Sequence, residues 1–392
     1  MTTSLYFHWP FCELKCPYCD FNSHVREKTD HTKWLRAYLK EIDFYADYLK
    51  GKEIKTIYFG GGTPSLMKPE MIAEIINKIK AEFNLRNNAE ITIEANPASS
   101  EIEKFKAFKD AGINRISIGI QSFNEERLKF LGRKHNRAQA IKAIEAAKEI
   151  FGNFTFDLIY ATKGQTEKSW SDELDFALKF DPPHISLYQL TIEKGTEFYS
   201  ETKNGAIKTT KDELSENLYF QTLERLKHNG LERYEISNFA KQGFESQHNM
   251  NYWNYGEYMG IGAGAHSRVK IKPAGELSES RYSIYDIHNP ENWLDAVFKK
   301  GNGIQKKAIL SKQQMLEEML YMGLRIREGI SLNNFQKVLE KDFFEIFKKE
   351  KISFFEQEGL LKLTESHLKL TDNGIMLHSS LCKKIINLGA PL

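Results

Sequence analysis

Cysteine is scarce in this sequence, with four in 392 residues, too few for a disulfide scaffold. Excess charge is absent too. The chain carries 55 basic against 53 acidic side chains, which leaves no electrostatic case for nucleic acid as a partner or for polybasic attachment to a membrane. No apolar run reaches the length of about 18 residues that a transmembrane helix needs. Met1–Trp9 lacks the basic-then-apolar order of a secretory signal. Internal repeats and low-complexity tracts are missing as well. What remains is globular composition, 41% hydrophobic and 28% charged, in a chain long enough for two or three domains. Three of the cysteines, Cys12, Cys16 and Cys19, fall within eight positions, and Cys382 stands apart. Clustered thiols without an export signal point to a cytoplasmic protein with a metal or redox centre.

The first two-thirds of the chain alternate strand-like and helical patterns. The strand candidates are Ser4–Phe7, Lys55–Phe59, Glu90–Glu94, Arg115–Ile118, Phe154–Leu158 and His184–Leu187. The helical stretches are Thr32–Leu49, Pro69–Phe83, Ser100–Ala111, Arg137–Ile150 and Glu167–Phe180. Pro69 reads as a first helical position and Gly112 as a helix stop. This alternation predicts an α/β fold with a parallel sheet of βαβ units; it suits a partial barrel, although pattern alone does not separate that from an open sheet. A further helix is expected over Lys211–His228, then an irregular aromatic- and glycine-rich stretch over Tyr234–Ser267. Lys270–Glu279 reads as an exposed loop. From Ser311 the helices Lys312–Arg327, Leu332–Lys341 and Phe343–Glu350, with the strand pair Leu360–Leu363 and His367–Leu370, resemble a winged-helix unit. Balanced charge makes it a packing domain. The expected division is 1–230, 231–300 and 301–392.

The segment from Cys12 to Cys19 has the spacing C-x3-C-x2-C directly after the first strand. Three thiolates on one short loop can hold three corners of an iron–sulfur cube and leave the fourth iron open. A structural zinc site wants four ligands, and no second cysteine pair exists here. Asp20 or His24 could complete a zinc tetrahedron, so zinc stays as the lesser alternative. Gly60-Gly61-Gly62-Thr63-Pro64 follows the second strand and lets backbone groups approach a ligand; it lacks the lysine of a phosphate loop. Glu94, Gln121 and Asp157 lie at or near the C-terminal ends of successive strands, the mouth where such folds place ligands. Arg133, by itself, reads as a surface charge.

The cysteine spacing, with aromatic Tyr18 before the third cysteine, resembles the radical S-adenosylmethionine (SAM) superfamily. That resemblance implies a partial (β/α)6 barrel and a [4Fe–4S] cluster on Cys12, Cys16 and Cys19, whose open iron SAM chelates before its reductive cleavage. Tyr6, Tyr18, Gly61, Gly62, Thr63, Glu94, Gln121, Arg133 and Asp157 match the oxygen-independent coproporphyrinogen III oxidase group, which implies that they contact SAM. One departure is Ala161-Thr162-Lys163, where the group has Gly-Leu-Pro after the tyrosine matching Tyr160. Two features resemble the HemW-type heme chaperones within that group. Only 11 residues precede Cys12, and Phe21 stands where the oxidases carry a fourth cysteine. His248-Asn249-Met250-Asn251-Tyr252-Trp253 also matches a His-Asn-x-x-Tyr-Trp segment associated with heme. A histidine beside Tyr and Trp can give an imidazole to iron and flat rings to a porphyrin; the plain alternative is a buried, hydrogen-bonded histidine. His248, Asn249, Tyr252 and Trp253 are therefore the expected heme residues, with His8 and His266 as secondary candidates. The resemblance implies heme and apo-hemoprotein partners of the respiratory chain, some of them membrane-associated. Oxidative decarboxylation of coproporphyrinogen III is the alternative activity, and a homodimer is left open.

Overall fold

The computed structural model describes residues 2–207, 210–272 and 278–390. One twelve-stranded sheet organises the molecule. Its first six strands are β1 (Thr2–Trp9), β2 (Glu53–Gly61), β3 (Asn84–Ala95), β4 (Arg115–Gln121), β5 (Phe154–Tyr160) and β6 (His184–Gln189). They lie side by side in chain order, all parallel. All six expected strands thus form. Phe7, Phe59, Ile93, Ile116, Phe156 and Ile185 point from them into the core. Residues buried on both faces explain why the runs read as apolar rather than alternating.

The connecting helices cover the sheet with one apolar stripe each. In α1 (His31–Phe44) the stripe is Trp34, Ala37, Tyr38 and Ile42, and in α2 (Pro69–Glu82) it is Ile72, Ile75, Ile76 and Ile79. Pro69 sits at the first helical turn. Asn136 with Gln139 and Thr166 with Ser169 form capping boxes on Arg137–Ile150 and Glu167–Leu178. Three expected helices are interrupted, among them Phe343–Glu350, which breaks at the extended pair Phe347 and Lys348 between Phe343–Ile346 and Lys349–Gln357. Thr32–Leu49 breaks at Tyr45, which is buried against Asp286. Ser100–Ala111 breaks after Ile102, where Glu101 turns inward to accept from Ser65 and the Asn96 N–H.

The stretch Tyr234–Ser267 is more regular than its sequence pattern suggests. After β7 (Glu232–Arg233) it holds β8 (Asn238–Ala240), α3 (Gln247–Trp253) and β9 (Glu257–Ile261), and it runs into β10 (His266–Ile271). Glycines at 256, 260, 262 and 264 hide the strand pattern. β9 pairs parallel to β1, and β10, β11 (Ser280–Asp286) and β12 (Ile304–Ile309) extend that edge antiparallel. β7 and β8 extend the other edge, so the sheet curls without closing: its order is β12-β11-β10-β9-β1-β2-β3-β4-β5-β6-β8-β7. The central part of the expected loop 270–279, residues 273–277, lies outside the described residues.

The C-terminal segment builds helices on a small sheet of β13 (Ile330–Ser331), β14 (Leu361–Leu363) and β15 (His367–Leu370), as the winged-helix pattern predicts. It packs on the large sheet through Glu318 of the helix Lys312–Gly323, which accepts from the Tyr255 hydroxyl at 2.7 Å and from Arg268 at 2.9 Å. Arg233 pairs with Asp372 at 2.8 Å on the same junction. No described helix is long and apolar enough to cross a membrane.

Candidate functional site

The C-terminal ends of the parallel strands meet at one mouth. β1 ends at Trp9, and the chain passes at once into a two-residue ladder between Phe11–Cys12 and His24–Val25 that closes the cysteine loop. Cys12 is buried, Cys16 and Cys19 are half-buried, and none is in a disulfide. Within the loop the Cys19 N–H donates to the Cys16 carbonyl at 3.0 Å. Gly62 and Thr63 lock the next loop onto it, their N–H groups donating to the carbonyls of Trp9 at 2.7 Å and Phe11 at 2.8 Å. A Cβ on Gly62 would lie 2.7 Å from the Phe11 carbonyl oxygen and 3.0 Å from Cys12 Sγ; only glycine allows that approach. The Thr63 hydroxyl donates to Cys12 Sγ at 3.3 Å. Burial pushes the Cys12 and Cys19 thiols above their ordinary range, and the hydrogen bond from Thr63 opposes this at Cys12.

A polar floor lies beneath the loop. Glu94, on β3, accepts from the Tyr58 hydroxyl at 2.8 Å and from the Gly61 N–H at 3.2 Å. Burial raises its carboxyl to about 7 and that of Asp157 to about 6. Arg133 donates to Asn96 Oδ1 at 2.7 Å, to the Gly119 carbonyl at 2.8 Å and to Cys16 Sγ at 3.4 Å. Asn96 in turn donates to Thr63 Oγ1 at 3.3 Å. Arg133, read from sequence as a surface charge, is thereby a strut between two cysteine supports. Gln121 has a left-handed backbone, φ 68°, and its buried Oε1 has no partner among the described residues.

These groups surround a cavity of about 360 Å³. Cys12, Cys16, Cys19 and Tyr18 form its roof, and Gly61, Gly62 and Thr63 one wall. Glu94, Gln121, Arg133 and Asp157 complete it. Tyr6 is the exception among the residues matched to SAM binding: it lines a neighbouring cavity, its hydroxyl 3.0 Å from His8 Nδ1. Two residues that sequence reasoning passed over belong to the first site, Asn96 and Gly119. Both stood next to singled-out residues, two positions from Glu94 and Gln121, but only the Arg133 contacts disclose their role. The residues fit the groups that the cysteine pattern implies. Three free thiols face one space, a glycine cradle adjoins them, and a buried amide oxygen awaits a donor. No three His, Cys, Asp or Glu side chains among the described residues converge closely enough for a single metal ion. A cube, which takes one thiolate per iron, suits such a set better than zinc.

The second cavity, about 560 Å³, shares Phe21, Gly61 and Glu94 with the first. Tyr252 and Trp253 line it, as do His8, His266 and His288. The other half of the His-Asn-x-x-Tyr-Trp segment turns away, because residues on a short helix such as α3 fan out around its axis. His248 is 1% exposed. Both its nitrogens are engaged, Nδ1 with Thr56 Oγ1 at 2.7 Å and Nε2 with the Tyr252 hydroxyl at 2.8 Å, and its ring stacks on Tyr58 at 4.8 Å. Burial lowers its pKa to about 3. His248, expected from sequence to offer its imidazole to iron, thus has no unengaged ring nitrogen in this arrangement. Asn249 faces a separate, small polar cavity of about 50 Å³ beside Arg115 and His184.

Residues 6–177 match the radical SAM superfamily and residues 310–377 the HemN C-terminal domain. A protein named heme chaperone HemW from Buchnera aphidicola (Schizaphis graminum) is 36% identical over 97% of this chain and 97% of its own. Another of that name from Haemophilus influenzae is 35% identical over 95% and 94%. The chain belongs to the HemW family. A mitochondrial relative from Danio rerio, named radical S-adenosyl methionine domain-containing protein 1, is 34% identical over 98% of this chain and 86% of its own. In fold, this HemW-family chain is similar to the radical SAM enzyme coproporphyrinogen III oxidase (HemN) from Escherichia coli. The TM-score is 0.81 at 21% identity, over 97% of this chain and 89% of that one. Membership in the radical SAM superfamily implies SAM and a [4Fe–4S] cluster.

Proposed function

We propose that this protein is a cytoplasmic heme chaperone that holds heme in the second cavity and a [4Fe–4S] cluster with SAM in the first. Cys12, Cys16 and Cys19 would ligate the cluster, and the residues from Gly61 to Asp157 that line its cavity would hold SAM. Such a cluster, when bound, supplies the electron for reductive chemistry on SAM. The chain's own residues do the rest: Arg133 and Thr63 donate to the cysteine sulfurs, and Glu94, about half protonated near neutral pH, would offer SAM a polar contact. The observation that carries the reading is the aromatic cavity walled by Tyr252 and Trp253, which adjoins the cluster cavity through Phe21, Gly61 and Glu94. Flat rings and a volume within the usual range for small-molecule sites suit a porphyrin. In this reading residues 1–230 are the radical SAM core, 231–300 carry the heme face, and 301–392 cover it. The acceptors would be apo-hemoproteins of the respiratory chain. The test is anaerobic reconstitution with iron and sulfide, then titration with heme and, separately, assay with coproporphyrinogen III. Expected are about four irons per chain, lost in Cys12→Ala, Cys16→Ala or Cys19→Ala but kept in Cys382→Ala, together with heme binding and no decarboxylation. Turnover of coproporphyrinogen without heme binding would replace the chaperone with the oxidase.

A further inference from the structure

The second cavity presents three imidazoles, and their surroundings differ. His8 is spent: Nδ1 meets the Tyr6 hydroxyl at 3.0 Å and Nε2 the Asn22 carbonyl at 2.9 Å. His288 sits on an exposed connection after β11. His266 is different. It opens β10, lines the cavity, and neither ring nitrogen makes a hydrogen bond among the described residues. Its ring is braced edge-on by Tyr285, centroids 4.3 Å apart. The backbone behind it is also fixed. Gly264, at φ +80°, packs so closely that a Cβ would lie 2.3 Å from Asn22 Nδ2. The same Asn22 amide donates to the carbonyls of Ala263 and His288, each at 3.0 Å. Glu41 accepts from the Gly262 N–H at 2.9 Å. A ring with unengaged nitrogens on a clamped backbone is preorganised to donate to a metal in the cavity.

Charge on the same wall points to the rest of the ligand. Arg268 is neutralised by Glu318 at 2.8 Å. Arg281, 6% exposed, has no carboxylate partner among the described residues: it donates to the carbonyls of Tyr255 and Gly256, and its buried Nε has no partner. A buried guanidinium without a carboxylate partner among the described residues, beside an aromatic cavity, suits a planar ligand with carboxylate arms.

We propose that His266 is the axial ligand of the heme iron and that Arg281 receives a heme propionate, while His248 serves as an internal latch holding Tyr252 in the cavity wall. This assignment rests on the heme-chaperone reading and goes beyond it. No covalent step is involved. The cavity side of His266 supplies a lone pair to iron, and the propionate stays ionised against Arg281.

The full-length reconstituted protein is titrated with hemin and with hemin dimethyl ester, followed by the Soret band and by electron paramagnetic resonance of the ferric heme. His266→Ala should lose the imidazole-type spectrum and weaken hemin binding about tenfold or more. Added imidazole should restore that spectrum. Because His266 is exposed, the variant should melt as the parent does, which separates ligation from folding. The dimethyl ester, lacking charged arms, should bind the parent protein about tenfold or more weakly than hemin. A His266→Ala protein with the parent spectrum and affinity overturns the ligand assignment, as does loss of the spectrum in His288→Ala alone. Equal affinity for ester and acid overturns the role of Arg281. Absence of any heme binding by the parent protein overturns the chaperone reading itself.

Discussion

Replacing Arg133 with Met is the sharpest probe of the cluster site, because the substitution keeps most of the side chain's bulk and removes its donors. In the parent, the guanidinium serves Asn96 Oδ1 at 2.7 Å, the Gly119 carbonyl at 2.8 Å and Cys16 Sγ at 3.4 Å. Two oxygens in a half-buried site are then left without their donor, at about 1–3 kcal/mol each. The expected loss in urea unfolding is about 2–6 kcal/mol, which a domain in the middle of the usual range of about 5–15 kcal/mol survives folded. Arg133→Lys keeps the charge but cannot span three acceptors, and should lose about half as much. The second readout is electrochemical. Removing a cation and a hydrogen bond from a cluster ligand makes added electron density less favourable, so the potential of the reconstituted cluster should fall in Arg133→Met and fall less in Arg133→Lys. Unfolding and potential both unchanged in Arg133→Met would refute the view that Arg133 ties the cysteine loop to the barrel floor.

Two further outcomes follow from buried carboxylates. Burial raises Glu94 from 4.5 to about 7, a difference worth at most about 3 kcal/mol. The folded protein then holds a proton that the unfolded chain releases, so stability should fall as pH rises from about 4.5 to about 7, and Glu94→Gln should flatten that slope in pH-dependent urea melts; an identical slope in the variant would exclude Glu94 as its source. Glu41 is fully buried and accepts from the N–H groups of Gly262 and Gly303 and from Trp293 Nε1. Glu41→Ala should cost about 3 kcal/mol or more, since three buried donors lose their acceptor, and a change below 1 kcal/mol would contradict that accounting.

The sequence by itself determined the six strands, two helix ends and the cysteine loop, because each is a local property. Apolar runs buried on both faces, Pro69 at the start of one helix and Gly112 past the end of another, and three thiols at fixed spacing need no distant partner to be read. It also placed Glu94, Gln121 and Asp157 near strand ends, from which their convergence on one mouth follows once the sheet is parallel. Only the tertiary structure decided the rest. The glycine-rich stretch after Tyr234 becomes a strand because β1 offers it an unpaired edge, and no local preference announces that. Arg133 looks like surface charge until Asn96, Gly119 and Cys16 are brought around it from three separate segments. His248 and Trp253 are near neighbours in a recognisable motif, yet the curvature of one short helix seals the first against Thr56, Tyr58 and Tyr252 and leaves the second on the cavity wall. Which imidazole keeps a nitrogen for a ligand depends on which hydrogen bonds the fold has already made, and those run between residues up to 192 positions apart.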